Sequence, residues 1–123
     1  MAVSKDFITY VEELLSPLGP LRIRRMFGAA GVYLNDVFFA VLDDEALYLK
    51  VDDDSRPTFK AVGSRPFVIM EKDGRAMETS YWLAPPEALE SPEAAEPWAR
   101  LGYEAAVRVK AAKVKPSKRS ART

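Results

Sequence analysis

Residues 30–51 read AGVYLNDVFFAVLDDEALYLKV, and this stretch decides the fold class. Short runs of apolar, β-branched and aromatic residues are separated by the polar turn signals Asn35-Asp36 and Asp43-Asp44-Glu45. Connections this short force neighbouring strands to run antiparallel, because a parallel crossover needs about a dozen residues or more. The predicted strands lie near Ala30–Leu34, Val37–Leu42 and Ala46–Val51, with a tight turn at 35–36 and a slightly longer one at 43–45.

The flanking sequence adds further strands and three helices. Apolar residues at helical spacing predict a first helix from Ser4, as N-cap, to Ser16, and Pro17 ends it. The carboxylates of 52–54 followed by Ser55 predict the start of a second, short helix that ends at Gly63. The other predicted elements are a strand near Leu21–Phe27, strands at Pro66–Met70 and Arg75–Leu83 joined at Asp73-Gly74, and a last helical region from Ser91-Pro92 with a kink or a fresh start at Pro97.

The order helix, three or four strands, helix, two strands, helix predicts an α+β domain. One antiparallel sheet with helices mainly on one face is the expected architecture. The domain is expected to span residues 1–112, because 113–123 has no apolar periodicity and is typical of a basic, disordered tail. The sequence shows neither a signal peptide nor an apolar run that could cross a membrane, so we predict a cytoplasmic protein without membrane contact.

The predicted strand Val37–Leu42 is apolar on both of its faces. A sheet with one solvated face would alternate apolar and polar residues, so the second face of this strand needs a cover. The cover is the C-terminal helix, a second copy of the chain in a homodimer, or a ligand in a pocket near Tyr33 and Tyr48. The sequence leaves these three alternatives open.

Composition excludes several classes of catalytic and metal site. The chain contains no histidine and no cysteine, which rules out Ser-His-Asp and Cys-His catalysis, thiolate metal sites and disulfides. The acidic clusters 43–45 and 52–54 lie where a turn and a helix cap are expected. Gly28-Ala29-Ala30-Gly31 precedes a strand rather than opening a helix, so it lacks the geometry of a phosphate loop. We therefore predict a non-enzymatic protein with no metal and no cofactor.

Charge is unevenly distributed along the chain. Basic and acidic residues number 18 each, but seven basic residues and no acidic ones follow Glu104. Residues 1–107 therefore carry a net charge of about −7. The basic tail could grip nucleic-acid phosphates independently of sequence, although it lacks the interleaved aromatic residues of single-strand binders. The tail residues that would make these contacts are Lys110, Lys113, Lys115, Lys118, Arg119 and Arg122.

Three arginines form the densest basic cluster before the tail. On a strand, Arg22 and Arg24 point to one face, whereas Arg25 shares the other face with Leu21 and Ile23. We interpret Arg25 as a structural arginine at the edge of the core, held by an acidic residue of a neighbouring strand. The alternative is contact with an anion.

A series of motifs runs through the chain: Leu14-Leu15-Ser16-Pro17-Leu18-Gly19-Pro20, Arg25-Met26-Phe27-Gly28, Gly31-Val32-Tyr33-Leu34, Leu47-Tyr48-Leu49-Lys50-Val51-Asp52, Pro66-Phe67 and Tyr81-Trp82. In this order they resemble the N-terminal domain of the TfoX/Sxy family, over roughly residues 5–109. The sequence departs from the family pattern at Ala29, where a glycine is usual, at the turn Asn35-Asp36, and at Trp82, which replaces a tyrosine. Two-domain members continue into a separate C-terminal domain, and this chain is expected to be a stand-alone N-terminal domain.

The resemblance implies a regulator of natural competence that acts with the cyclic-AMP receptor protein. It also implies a fold similar to small secretion-chaperone-like domains, which often pair as dimers, and it supplies no catalytic residues. We therefore predict an interaction module that modulates transcription through contacts with a protein partner such as a transcription regulator, and that forms a homodimer. The alternatives are a sequence-tolerant nucleic-acid binder that uses the tail and a small-molecule-binding domain. The motif residues expected to mark either the shared fold or a binding surface are Arg25, Met26, Phe27, Gly28, Tyr48 and Lys50.

Overall fold

The computed structural model of the chain describes residues 3–26 and 28–122, with side chains described as far as Lys113. Two short 3-10 segments, Ser16–Leu18 and Pro86–Leu89, accompany the regular elements. In chain order the helices and strands are α1 (Lys5–Leu14), β1 (Leu21–Met26), β2 (Ala29–Leu34), β3 (Val37–Asp43), β4 (Ala46–Lys50), α2 (Arg56–Ala61), β5 (Pro66–Met70), β6 (Ala76–Leu83) and α3 (Pro92–Arg122).

The six strands form one sheet in the order β1-β2-β3-β4-β6-β5, and every neighbouring pair is antiparallel. This arrangement confirms the predicted α+β class and the predicted order of elements. β1 and β5 are the edge strands, so the β5–β6 hairpin lies at one end of the sheet. Among the described helices, none combines the length and the apolar character needed to cross a bilayer.

The β2–β3 and β3–β4 connections are tight two-residue hairpin turns. Asn35 and Asp36 have φ angles of 52° and 63°, and Asp44 and Glu45 have 48° and 63°. Positive φ at both central residues is the geometry of a two-residue type I′ turn, which matches the twist of antiparallel strands. The longer turn predicted at 43–45 is therefore wrong, because Asp43 still belongs to β3 and pairs with Ala46.

A β-bulge interrupts the pairing of β3 with β2. Tyr33 pairs with Phe38 and Val32 pairs with Ala40, so Phe39 has no partner on β2. The extra residue places Phe39 and its neighbour Ala40, both fully buried, on the same face, so that Phe38 and Val41 share the opposite face although they are three positions apart. Phe39 is fully buried and meets the Tyr103 ring of α3 edge-on, at 5.8 Å between ring centroids.

The helices α1 and α3 cover one face of the sheet, called the inner face below. Val11 and Leu14 of α1 belong to the same buried cluster as Leu49 of β4 and Phe39. Gly102 allows the close approach of α3, because a Cβ at this position would lie 3.1 Å from the Cβ of Leu49. A single core on one side of the sheet is the result.

Helices α1 and α3 begin at the residues that the sequence predicts. The Ser4 hydroxyl accepts a hydrogen bond from the Phe7 backbone N–H at 3.0 Å, and the Ser91 hydroxyl accepts one from Ala94 at 3.1 Å. α3 then continues through Pro97 as one element, so of the two predicted alternatives the fresh start is wrong and the kink stays a prediction. The predicted domain boundary at 112 and the disordered tail stay predictions, because the side chains of 114–123 lie outside the described residues.

Candidate binding surface on the uncovered face of the sheet

The face opposite the helices, called the outer face below, receives side chains from all six strands. Residues that pair directly across two strands share a face, so the pairs Tyr33–Phe38, Val41–Tyr48 and Lys50–Tyr81 identify this side. The side chains of the outer face that matter below are Arg22, Arg24, Met26, Tyr33, Phe38, Val41, Asp43, Tyr48, Lys50, Phe67, Ile69, Thr79 and Tyr81.

Aromatic rings form a chain across the outer face. The ring of Phe38 lies between those of Tyr33 and Tyr81, with centroid distances of 5.1 and 5.3 Å. Tyr48 and Phe67 form a second pair at 4.9 Å. These separations fall in the range in which aromatic rings attract one another beyond the burial of their area.

A concave apolar cavity of about 420 Å³, here called the apolar groove, lies among these strands. Gly31 lies next to it, where a Cβ would be 2.8 Å from both the Met26 Cε and the Phe38 Cε1. The missing side chain therefore lets Met26 and Phe38 close over β2. The residues that line the groove are Met26, Ala29, Ala30, Phe38, Val41, Asp43, Phe67, Ile69, Thr79 and Tyr81.

A second cavity of about 290 Å³, here called the lysine pocket, adjoins the groove, and Phe38 and Tyr81 line both. It lies where the later part of α3 passes the sheet. Lys50 of β4 and Lys110 and Lys113 of α3 meet there. The complete lining is Asp36, Val37, Phe38, Lys50, Tyr81, Ala106, Val109, Lys110 and Lys113.

The lysine pocket is electropositive. Burial lowers the pKa of the Lys50 ammonium below its ordinary value of 10.5, the neighbouring Lys113 lowers it further, and Asp52 acts in the opposite direction. The same ammonium lies 5.0 Å from the centroid of the Tyr81 ring and donates a hydrogen bond of 2.6 Å to the Ser80 hydroxyl. Burial, with a smaller contribution from Tyr33, raises the pKa of the Tyr81 hydroxyl to about 12, so this group stays protonated at neutral pH.

An ion pair holds α3 beside this pocket. Arg108 donates to both carboxylate oxygens of Asp52, at 2.6 and 3.0 Å. The same carboxylate accepts hydrogen bonds from the backbone N–H and the hydroxyl of Ser55 at the start of α2, both at 3.1 Å. Asp52 thus joins the end of β4, α2 and α3, and it fixes the part of α3 that carries the pocket lysines.

The family model described as TfoX N-terminal domain matches residues 13–106. The chain belongs to the TfoX N-terminal domain family. The matched range runs from the end of α1 into α3 and contains the whole sheet, the apolar groove and Lys50. Lys110 and Lys113 of this TfoX domain lie beyond it. No curated protein matches the chain.

The structure places the described motif residues of the TfoX domain at three locations. Met26, Tyr48 and Lys50 lie on the outer face, whereas Arg25 lies on the inner side of β1. Gly28 occupies the β1–β2 turn with a φ of 83°. Phe27, and the side chains of Lys115, Lys118, Arg119 and Arg122, lie outside the described residues. Lys110 and Lys113, predicted as part of a possible nucleic-acid tail, lie with Lys50 at one pocket, and their contact with nucleic acid stays a prediction.

One residue of the site could have been selected from the sequence and was not. Tyr81, which lines both the groove and the pocket, occupies the same face of β6 as Met77 and Thr79. The alternation of side chains along a strand predicts this shared face from the sequence. Of the three alternative covers of the second face, the C-terminal helix is the one that the structure contradicts, because α3 lies on the inner face with α1 and borders the outer face at the lysine pocket. No local sequence pattern indicates the Asp52–Arg108 ion pair, because 56 positions separate the two residues.

Arg25 has a structural contact. It shares the inner side of β1 with Leu21 and Ile23, as predicted, but its Nη1 donates to the backbone oxygen of Val3 at 3.1 Å rather than to an acidic side chain. Val3 is buried, and its N–H donates to the Gly28 oxygen at 2.8 Å. Arg25 and Gly28 therefore hold the residues that precede α1 against β1.

We expect Arg25→Ala to lower the free energy of unfolding by about 1 kcal/mol, because it removes one hydrogen bond to a half-enclosed carbonyl. Urea denaturation followed by tryptophan fluorescence measures the change. Arg24→Ala is the matched control, since Arg24 is exposed on the outer face and should change stability by less than about 0.5 kcal/mol. Equal stability of the wild type and Arg25→Ala would contradict the structural role.

Proposed function

We propose that this TfoX domain is a non-enzymatic interaction module that acts in the cytoplasm and modulates transcription through contact with another protein. The observation that carries the proposal is the outer face, a concave surface of apolar and aromatic side chains that α1 and α3 leave uncovered. Aromatic side chains such as those of Phe38, Tyr48 and Tyr81 are the residues that dominate the binding energy of protein interfaces.

The chemistry of the outer face supports binding rather than catalysis. Among the described residues that line the apolar groove, Asp43 is the one carboxylate. General acid and base catalysis by carboxylates uses two of them with different pKa values. The chain also has no histidine to take either role.

The proposal is tested on transcript levels in the organism that encodes the chain. Deletion of the gene should change a set of transcripts, and expression of the wild-type protein should restore them. Ile69→Asp should fail to restore them, because it places a charge in the apolar groove at a side chain that is 38% exposed, so the fold tolerates it.

Val68→Asp is the matched control for this experiment. Val68 is the preceding residue of β5, is 45% exposed, and points away from the groove. It should restore the transcripts like the wild type. An unchanged transcript profile after deletion would refute a role in transcription, and restoration by both variants would refute the use of the outer face.

A further inference from the structure

We propose that the outer face binds a segment of the partner protein in which apolar residues adjoin acidic ones, with the apolar part in the apolar groove and the carboxylates at the lysine pocket. This inference rests on the proposed function and specifies the partner's chemistry. Phe38 and Tyr81 belong to both cavities, so a single extended segment can occupy the two together.

Charge complementarity selects an acidic segment. Within the described part of the chain, the ion pairs formed by carboxylates include none to Lys50, Lys110 or Lys113. The carboxylate that lines the pocket and the one that acts on Lys50 have other partners: Asp36 lies 3.5 Å from an Arg22 nitrogen, and Asp52 is bound to Arg108.

The position of Lys50 adds to the argument. Its ammonium is partly withdrawn from water and close to Lys113, and both effects disfavour its charge. A carboxylate from a partner would relieve this cost, and the protonated Tyr81 hydroxyl beside it can donate a further hydrogen bond. The folded domain is otherwise acidic, so this pocket is a local exception that an acidic segment can recognise.

The apolar groove supplies the second half of the recognition. Among the residues that line it, Asp43 is the single carboxylate, and most of the others are apolar or aromatic. Cavities of about 300–1,000 Å³ hold drug-sized groups, so about 420 Å³ accommodates one or two large apolar side chains of a peptide. The two cavities are adjacent, because Phe38 and Tyr81 line both, and this suits a chain that lies along the surface.

The experiment measures binding of three synthetic hexapeptides to the full chain by isothermal titration calorimetry. All are acetylated and amidated, so that only side chains are charged. The first has three leucines followed by three glutamates, the second has lysines in place of the glutamates, and the third has serines in place of the leucines. We expect the first to bind at least about tenfold more tightly than either of the others, because each of them lacks one half of the chemistry.

Protein variants locate the site. Lys110→Gln with Lys113→Gln alters two exposed helix residues, so the fold is kept, and it should weaken binding of the leucine–glutamate peptide by about fivefold; addition of Lys50→Gln should raise the loss to tenfold or more. The control replaces three exposed lysines elsewhere, Lys5, Lys60 and Lys72, by glutamine and should bind like the wild type.

Several outcomes would overturn the inference. Equal affinity for the glutamate and lysine peptides would remove the role of the lysine pocket, and equal loss in both triple variants would assign the effect to net charge alone. Octanoate that binds more tightly than the peptide would make the face a small-molecule site. A dimer mass in solution with no peptide binding would assign the face to a second copy. In each case, transcripts that still depend on Ile69 would leave the proposed function standing.

Discussion

Phe39→Ala is expected to lower the free energy of unfolding by about 3–5 kcal/mol, which is the cost of removing a fully buried phenylalanine from a packed core. The lost side chain lies at the bulge of β3, where it contacts the Tyr103 ring of α3. The cavity left behind is enclosed by the sheet and α3, so the surroundings cannot collapse easily to fill it. Chemical denaturation at pH 7 measures the difference, which is a large part of the stability of a domain of this size.

Phe38→Ala is the matched control, since it removes the same side chain one residue earlier from the opposite face. Phe38 is only partly buried, and we expect a loss of about 1 kcal/mol. Its effect should appear instead in binding, because Phe38 lines both the apolar groove and the lysine pocket. Equal destabilisation by the two substitutions would contradict the assignment of the two residues to opposite faces.

Asp52→Asn is expected to lower the free energy of unfolding by about 1–2 kcal/mol at pH 7. The hydrogen bond from Arg108 is the largest cause that lowers the pKa of Asp52, from 3.8 to about 2; burial opposes it, and hydrogen bonds from Ser55 add to it. A shift of one unit corresponds to about 1.4 kcal/mol, and we reduce the sum because the Arg108 side chain is 43% exposed to screening solvent. Asparagine keeps the oxygen that accepts the two hydrogen bonds from Ser55, so the measured loss reports the charge.

The lowered pKa of Asp52 sets the pH range over which its ion pair with Arg108 stabilises the fold. A carboxyl group whose pKa is lower in the folded state stabilises the fold above its unfolded pKa and loses that contribution as pH falls through the folded pKa. The difference between the wild type and Asp52→Asn should therefore be constant above about pH 5, shrink from pH 3.8 downward, and vanish below about pH 2. Urea midpoints measured across this range test it.

Asp53→Asn is the control for the acid experiment. Asp53 pairs with Arg56 at 2.8 Å, but its side chain is 97% exposed, so its removal should have little effect at any pH. A difference between the wild type and Asp52→Asn that persists below pH 2 would show that the loss comes from altered packing rather than from the ion pair.

The placement of the strands and helices followed from local sequence. Turn residues bounded β2, β3 and β4 within one residue of their observed ends, because Asn and Asp tolerate the positive φ that the tight turns require. The helix starts at Ser4 and Ser91 followed from their capping hydroxyls. A fresh helix start at Pro97, one of the two alternatives predicted there, does not occur, because packing on the sheet can maintain a helix across one missing hydrogen bond.

The candidate site was recognised only in pieces. The motif residues Met26, Tyr48 and Lys50 were selected individually, and Lys110 and Lys113 were assigned to a separate tail. Their convergence depends on the path of α3 across the sheet, which Gly102 and the Asp52–Arg108 pair fix at long range. Contacts between residues that are far apart in the sequence leave no pattern in the local sequence from which they could be predicted.

The sequence by itself determined the run of antiparallel strands around residues 30–51, the absence of histidine and cysteine chemistry, and the fact that Val37–Leu42 has two apolar faces. Periodicity, turn chemistry and composition act over a few residues, so they can be read without the fold. The tertiary structure alone decided that both long helices lie on one face, that the bulge at Phe39 directs its neighbour Phe38 outward, and that three lysines meet beside an open apolar groove. These features depend on which surface each helix buries, and the whole core selects that surface.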